Sequence, residues 1–237
     1  MTPSDNSVPY SPDSDSLAGL GGAAGLDPAT LRMLRTLVTR LAYDYDTAFT
    51  AAEVEEVFGD SFRRLAATAR VTTFLPTLAG RLARERLEAL GMTRGLIAKR
   101  VPEVLFVCVH NAGRSQMAAA FTRHYAGSAL HIRTGGSDPS EGIHPEVVAA
   151  MKDVGLSLDE EFPKPLTDDI LTAADVVVTM GCGDACPYLP GKRYEDWPID
   201  DPAGADAATV ARIRDDIDQR VRGLLASLLP DLTLPAR

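Results

Sequence analysis

A chain of 237 residues, 45% of them hydrophobic, has room for one large domain or for one medium domain with a small companion. Its 24 basic side chains stand against 33 acidic ones, and this net charge of −9 argues against nucleic-acid binding, because Lys and Arg clusters hold phosphate backbones. No apolar run has the length of a membrane span, and the N-terminus lacks the basic and apolar segments of a secretion signal. We therefore expect a cytoplasmic protein whose three cysteines are reduced and reactive.

The N-terminal part of the chain predicts a tail followed by a small helical domain. Residues 1–26 are rich in Ser, Pro, Asp and Gly, which predicts disorder. Residues 27–98 predict three helices. The first begins at Asp27 as N-cap with Pro28 at its first position, the second opens with a capping box of Thr50 and Glu53, and the third runs from about Pro76 to Gly91.

Two functions compete for this three-helix domain, namely DNA binding and self-association. Residues 29–95 contain ten Arg against eight acidic residues, a weak positive balance for a DNA reader. Three short helices also bury little apolar surface by themselves, so they gain stability by docking. We therefore favour an accessory domain that supports a homodimer.

The remaining residues, 101–237, alternate strands with helices. Such alternation predicts an α/β domain with a parallel four-stranded sheet flanked by helices, and a site at the carboxyl ends of the strands. The expected strands are residues 104–107, 130–134, 175–180 and 194–197. One helix is expected to begin near Gly113, and three more are expected at residues 145–154, 166–173 and 205–229.

The first strand and helix are joined by the motif Cys108, five residues, Arg114 and Ser115. A turn of this length lets successive backbone N–H groups point into one concavity at the positive end of the helix dipole, which suits a tetrahedral oxyanion. Arg114 adds a planar fork of donors for two oxygens. The same field favours a thiolate at Cys108, to which Ser115 could donate its hydroxyl. The predicted substrate-binding residues are Val109, His110, Asn111, Ala112, Gly113, Arg114 and Ser115. The alternative for Cys108 is a thiol that merely ends a buried strand.

A second sulfur site follows the strand at 175–180, where Cys182 and Cys186 are separated by three residues. Gly181 and Gly183 flank Cys182, and Pro187 follows Cys186. Glycine and proline favour an irregular, adaptable loop, in which a bridge between the two sulfurs is sterically easy. The alternatives are incidental thiols or half of a zinc site. Zinc would need further ligands, and no His lies near this loop in sequence, so we predict no metal.

The string Cys-Val-His-Asn-Ala-Gly-Arg-Ser-Gln-Met-Ala that begins at Cys108 resembles the phosphate-binding loop of the low-molecular-weight protein tyrosine phosphatase superfamily. It looks closest to the arsenate reductase branch, of the three-cysteine, thioredoxin-coupled type, and the likeness extends over about residues 101–229. A comparable N-terminal helical extension precedes the reductase domain in some members of that family.

The resemblance implies a disulfide relay. Cys108 attacks arsenate, for which phosphate or sulfate is a mimic, Cys182 attacks Cys108 and releases arsenite, and Cys186 moves the disulfide outward for reduction. No bound cofactor is implied, but an external thiol reductant is needed. Thioredoxin is our first choice, and mycothiol with a dedicated redoxin is the alternative.

Two further residues take roles from the resemblance. Within Trp197-Pro198-Ile199-Asp200-Asp201-Pro202, Asp201 corresponds to the family's general acid, with Asp200 as second choice, and an ordinary Asp-Pro turn as the other explanation. Asn111 occupies a position where some reductases use Asn to shape the loop and to contact a potassium ion. The Glu of those relatives is replaced by alanine in this chain, which argues against a potassium site.

The sequence therefore predicts an arsenate reductase. A protein tyrosine phosphatase of the same fold is the first alternative, because hydrolysis of a phosphocysteine needs only one thiol. An arsenic- or redox-responsive sensor, whose helical domain binds a partner, is the second.

Overall fold

The computed structural model describes residues 26–181 and 187–234. The chain divides into two compact units, of which the first ends at Gly91 and the second begins at Met92. Nearly all of the predicted disordered tail, and both Cys182 and Cys186, lie outside the described residues. Within the described part of the chain, no helix is both long enough and apolar enough to cross a bilayer.

The first unit contains the helices α1 (Pro28–Asp44) and α2 (Ala51–Ala66) and all but the last two residues of α3 (Leu75–Thr93). Their starts follow the predicted capping chemistry. The Asp27 carboxylate accepts hydrogen bonds from the backbone N–H groups of Ala29 and Thr30, and Thr50 and Glu53 form a reciprocal capping box. Both caps satisfy N–H groups that a helix start leaves without a partner.

The end of α3 differs from the sequence prediction, which placed it at Gly91. The helix continues to Thr93, and Gly91 is buried within it. The left-handed backbone conformation falls instead on Gly95, with φ 71°. A glycine in a helical pattern can allow close packing as well as end a helix, and the local sequence does not separate these two uses.

The second unit is an α/β layer structure built on one sheet. The four strands are parallel and lie in the order β2-β1-β3-β4, which confirms the predicted fold class. Its elements are β1 (Glu103–Cys108), α4 (Arg114–Ala126), a short 3-10 helix (Gly127–Ala129), β2 (His131–Gly136), α5 (Pro145–Asp153), α6 (Asp168–Ala173), β3 (Val176–Met180), β4 (Arg193–Asp196) and α7 (Ala207–Leu228).

The core of this unit explains why β1 lies inside the sheet. All six of its residues are buried, as expected for a parallel strand covered on both faces. Val104, Phe106 and Cys108 share one cluster with buried side chains of α4, α5 and α7. β1 lies between β2 and β3, so Cys108 ends its strand where the chain connections diverge to opposite sides, the place where α/β sheets bind ligands.

Candidate active site

The loop between β1 and α4 turns its carbonyl groups outward. Each carbonyl oxygen from Cys108 to Ala112 accepts a hydrogen bond from outside the loop. The donors are the backbone N–H groups of Ser137, Asp138, Ser140 and His144 for residues 108, 109, 110 and 112, and Gln116 Nε2 for residue 111.

This outward anchoring fixes where the loop's N–H groups point. In a trans peptide the N–H group points opposite to the preceding carbonyl, and the described peptide bonds are trans. The N–H groups of residues 109–113 therefore face the inner side of the loop, where α4 begins. Inward N–H groups at a helix N-terminus form a cradle for an oxyanion.

The sulfur of Cys108 lies in this cradle. Its side chain is buried, and its Sγ accepts a hydrogen bond from the Asn111 backbone N–H at 3.2 Å. The Ser115 hydroxyl oxygen lies 3.1 Å from the same sulfur and also accepts a hydrogen bond from Asn111 Nδ2, at 2.8 Å. The amide uses one acceptor position of the Ser115 oxygen and leaves its hydroxyl proton available for Cys108. Two donors thus converge on the sulfur, as a thiolate requires.

The orientation of the Asn111 amide is determined by its other contacts. Its Oδ1 accepts the backbone N–H of Lys164 at 3.0 Å, a donor that cannot be reversed, so Nδ2 must face Ser115. Asn111 also has φ 48°, a left-handed conformation that a non-glycine residue adopts at a cost of about 1–2 kcal/mol. Its side-chain contacts hold it in this conformation.

Arg114 begins α4 and is buried. Its Nη1 donates to the Ile199 carbonyl at 3.2 Å, and its Nη2 donates to Asp201 Oδ2 at 2.7 Å. The guanidinium is therefore held by the segment that follows β4. The two predicted site residues Arg114 and Asp201 lie in direct contact. Asp201 and Asp200, the second candidate for the acid, are both exposed, so the contact with Arg114 is what favours Asp201.

The family comparison agrees with this geometry. A family model described as low molecular weight phosphotyrosine protein phosphatase matches residues 103–233. The chain belongs to this family. A second model, described as the N-terminal domain of protein-tyrosine-phosphatase-like proteins, matches residues 34–91, within the helical unit.

Several relatives of this phosphatase-family chain are named as arsenate reductases. A putative arsenate reductase of Halobacterium salinarum is 41% identical over 131 residues, 53% of this chain and 92% of the relative. An arsenate reductase of Bacillus subtilis is 36% identical over 129 residues, 50% of this chain and 91% of the relative. A solved thioredoxin-dependent arsenate reductase of Corynebacterium glutamicum is 44% identical with a TM-score of 0.76, over 83% of this chain and 96% of that one.

Several residues that shape the phosphatase-family loop were missed by sequence reasoning. The Ile199 carbonyl and the Lys164 N–H each hold a site residue by one hydrogen bond, and Gln116 Nε2 holds Asn111 by two. Their contribution depends on tertiary proximity, which one sequence does not reveal. For Gly136 the sequence did contain a signal, the pair of glycines at the end of β2. Glycine in a strand can mark a place where another backbone segment approaches closely. A Cβ there would lie 2.7 Å from the Val109 carbonyl oxygen.

The two remaining predicted site residues, Cys182 and Cys186, lie outside the described residues. The segment that leads to them does not: Met180, at the end of β3, is the sheet partner of Cys108. Gly181 follows with φ 73°, and a Cβ on it would lie 2.7 Å from Arg114 Nη1. Within residues 26–181 and 187–234, no group of three His, Cys, Asp or Glu side chains is placed to hold a metal ion.

Proposed function

We propose that this chain is an arsenate reductase that uses Cys108 as its nucleophile and thioredoxin as its reductant. The observation that carries the proposal is the 44% identity with a thioredoxin-dependent arsenate reductase over 83% of this chain, an extent that must include most of both units. The donors arranged around Cys108 are the chemical counterpart of that likeness.

The first step is covalent attachment of the oxyanion. Arsenate occupies the cradle formed by the N–H groups of residues 109–113, with Arg114 binding two of its oxygens. The Cys108 thiolate attacks arsenic and forms an S–As bond, and one arsenate oxygen leaves as water. Asp201 supplies a proton to that leaving oxygen, a role that requires its protonated form and a position next to the anion. Its contact with Arg114, the side chain proposed to bind that anion, supports this role.

The second step transfers two electrons to arsenic. Cys182 attacks Cys108 Sγ and forms an S–S bond, and the electron pair of the S–As bond remains on arsenic, which leaves as arsenite. Cys186 then attacks Cys182, frees the Cys108 thiolate and leaves a Cys182–Cys186 disulfide. Thioredoxin reduces that disulfide and becomes oxidised itself. Sheet pairing supports this order, since Cys182 comes two residues after Met180, the partner of Cys108.

The family name favours a second candidate, a phosphatase. The same cradle, nucleophile and acid would form a phosphocysteine and hydrolyse it with water, without Cys182 or Cys186. Purified chain should be assayed for arsenite production with thioredoxin, thioredoxin reductase and NADPH, and in parallel for hydrolysis of an aryl phosphate. Sustained arsenite production supports the reductase, and phosphate-ester turnover without arsenite would support the phosphatase.

The reductant has its own alternative, a low-molecular-weight thiol such as mycothiol coupled to a redoxin. The thioredoxin named in the description of the Corynebacterium glutamicum enzyme favours the first choice. Replacing thioredoxin with mycothiol and a mycoredoxin in the same assay separates the two. Turnover only in the second mixture would overturn thioredoxin coupling.

We also propose that the helical unit supports a homodimer of a cytoplasmic enzyme. Large apolar side chains of this unit, among them Tyr43, Val71 and Phe74, are exposed, and such surface is often an interaction site. Light scattering after size exclusion should give twice the chain mass, and Val71→Ser with Phe74→Ser should lower it. Tyr188→Ser, an equally exposed site in the second unit, is the control that should leave the mass unchanged.

A further inference from the structure

The amide of Gln116 has contacts that neither packing nor helix formation requires. Gln116 is fully buried in the first turn of α4, directly after Ser115. Its Nε2 lies 3.0 Å from the Asn111 carbonyl oxygen, 3.1 Å from Asn111 Oδ1 and 3.2 Å from the Phe162 carbonyl oxygen. One NH₂ group with two hydrogens therefore serves three oxygens, two of which belong to Asn111.

The other end of the same amide has an unfavourable environment. Gln116 Oε1 is buried and has no hydrogen-bond partner among the described residues. A buried acceptor without a donor destabilises the folded state, and such a group in a native structure calls for an explanation. An apolar side chain such as Met would fill the same volume without this cost, so the value of the amide lies in its Nε2 contacts.

These contacts lead to the nucleophile through two hydrogen bonds. Gln116 holds Asn111 by both its backbone and its side chain, Asn111 Nδ2 donates to the Ser115 oxygen, and the Ser115 hydroxyl is thereby directed to Cys108 Sγ. The Asn111 backbone N–H is the second donor to that sulfur. Both donors to Cys108 thus depend on the left-handed conformation of Asn111.

We propose that Gln116 is a positioning residue that keeps Cys108 reactive by holding Asn111 in its left-handed conformation. The Nε2 contact with Phe162 extends this hold to the segment that supplies the Lys164 N–H to Asn111 Oδ1. Asn111 is therefore fixed from two sides, by α4 and by residues 162–164. The inference rests on the proposed nucleophilic role of Cys108, but not on the identity of its substrate.

The test measures Cys108 directly. The chain has three cysteines, so a Cys182→Ser, Cys186→Ser protein leaves Cys108 as its sole thiol. Its rate of alkylation by iodoacetamide at pH 7 reports thiolate reactivity without arsenate or thioredoxin. Adding Gln116→Met should slow alkylation by roughly tenfold, because this is about what one well-directed hydrogen bond to a charged group contributes.

A double-mutant cycle separates positioning from general damage. Asn111→Ala removes the side-chain contact with Gln116 but keeps the contact with the carbonyl oxygen of residue 111. In that background Gln116→Met should therefore slow alkylation by clearly less than tenfold, because residues that act through one another are not additive. Thr122→Val is the matched control, since it removes the buried hydrogen bond from Thr122 to the Ala118 carbonyl in the same helix. Alkylation of that variant should be unchanged.

Two results would overturn the positioning role. One is unchanged alkylation in folded Gln116→Met, and the other is an equal slowing with and without Asn111→Ala. If Gln116→Met does not fold, Gln116→Glu is tested in its place. This variant keeps the shape of the side chain but places an oxygen opposite the three acceptor oxygens. Alkylation at the original rate in Gln116→Glu would refute the proposal. Absence of arsenite production together with slowed alkylation would count against the reductase alone.

Discussion

The Asp201 carboxylate lies 2.7 Å from Arg114 Nη2, so the proposed acid and the proposed anion-binding side chain share a hydrogen bond. The same guanidinium donates to the Ile199 carbonyl two residues earlier. The segment that follows β4 therefore holds both the charge proposed to bind the oxyanion and the group proposed to protonate it. Movement of this segment would change both functions together.

Replacing Asp201 by Asn should separate those two functions. Asn keeps the size of the side chain but cannot supply the proton, so the rate of covalent attachment should fall by roughly 10²-fold. Phosphate binding should be retained, because Arg114 keeps its charge. With Cys182 and Cys186 replaced by Ser, so that the adduct is not resolved, the measurements are the rate at which arsenate consumes the Cys108 thiol in a single turnover and the protection of that thiol from iodoacetamide by phosphate. An unimpaired single-turnover rate would exclude Asp201 as the acid.

Gly181→Ala should weaken oxyanion binding. The new Cβ would lie 2.7 Å from Arg114 Nη1 and must displace the guanidinium. The KM for arsenate should then rise by roughly tenfold, because about one charged hydrogen bond from Arg114 to arsenate is lost. Gly191→Ala is a matched control, because Gly191 has a similar φ of 86° but open space around its Cβ position. Both variants carry the same backbone strain, and equal effects of the two on KM would contradict the role of the close approach.

Ser115→Ala should lower the reactivity of Cys108 while leaving the fold intact. It removes the hydroxyl that Asn111 Nδ2 directs to the sulfur. Alkylation by iodoacetamide at pH 7, with Cys182 and Cys186 replaced by Ser, should slow by roughly tenfold. Thermal unfolding followed by circular dichroism serves as the control for folding. Alkylation at the original rate would show that the thiolate does not depend on this hydroxyl.

Acid should weaken the helical unit through Asp60. Burial by itself would raise the pKa of Asp60, but hydrogen bonds from Arg64 and Arg86 outweigh it and hold that pKa below its ordinary value of 3.8. Since the folded-state pKa is lowered, the stabilisation is fully present above about pH 4 and is lost as the pH falls through the lowered value. The carboxylate should contribute about 1 kcal/mol at pH 7, an amount that allows for its partial exposure.

Asp60→Asn tests this pH dependence. At pH 7 the variant should unfold at a lower urea concentration than the original chain. The difference between the two should shrink at pH 3, because protonation of Asp60 makes its charge more like that of the neutral Asn. Asp46→Asn, an exposed acidic residue between α1 and α2, is the control. If the urea midpoints of Asp60→Asn and the original chain differ by the same amount at both pH values, the pH dependence of stability does not come from the Asp60 carboxylate.

Much of the fold could be predicted because local chemistry determines it. The capping residues Asp27 and Thr50 fix helix starts, and the apolar runs of β1 and β3 are typical of parallel strands that are covered on both faces. Family membership was also predicted correctly from the Cys108 loop. The predicted end of α3 was wrong, because Gly91 is buried within the helix and does not end it.

The site was predicted less completely because its support comes from distant parts of the chain. The spacing of Cys108, Arg114 and Ser115 predicts a nucleophile and an anion cradle, and the structure places the Ser115 hydroxyl next to Cys108 Sγ. The sequence did not reveal that Arg114 is held by Ile199, 85 residues away. Nor did it reveal that Lys164 orients Asn111 over 53 residues. Contacts of this length depend on the sheet order, which is a property of the assembled fold.

In the proposed relay electrons pass from Cys182 to arsenic through Cys108, and disulfide mapping after one arsenate turnover without thioredoxin follows that route. We expect one equivalent of arsenite from every variant that retains both Cys108 and Cys182. We also expect a Cys182–Cys186 disulfide in the original chain, a Cys108–Cys182 disulfide in Cys186→Ser, and no arsenite from Cys182→Ser. Arsenite from Cys182→Ser at the original yield, without a disulfide to Cys108, would contradict the relay.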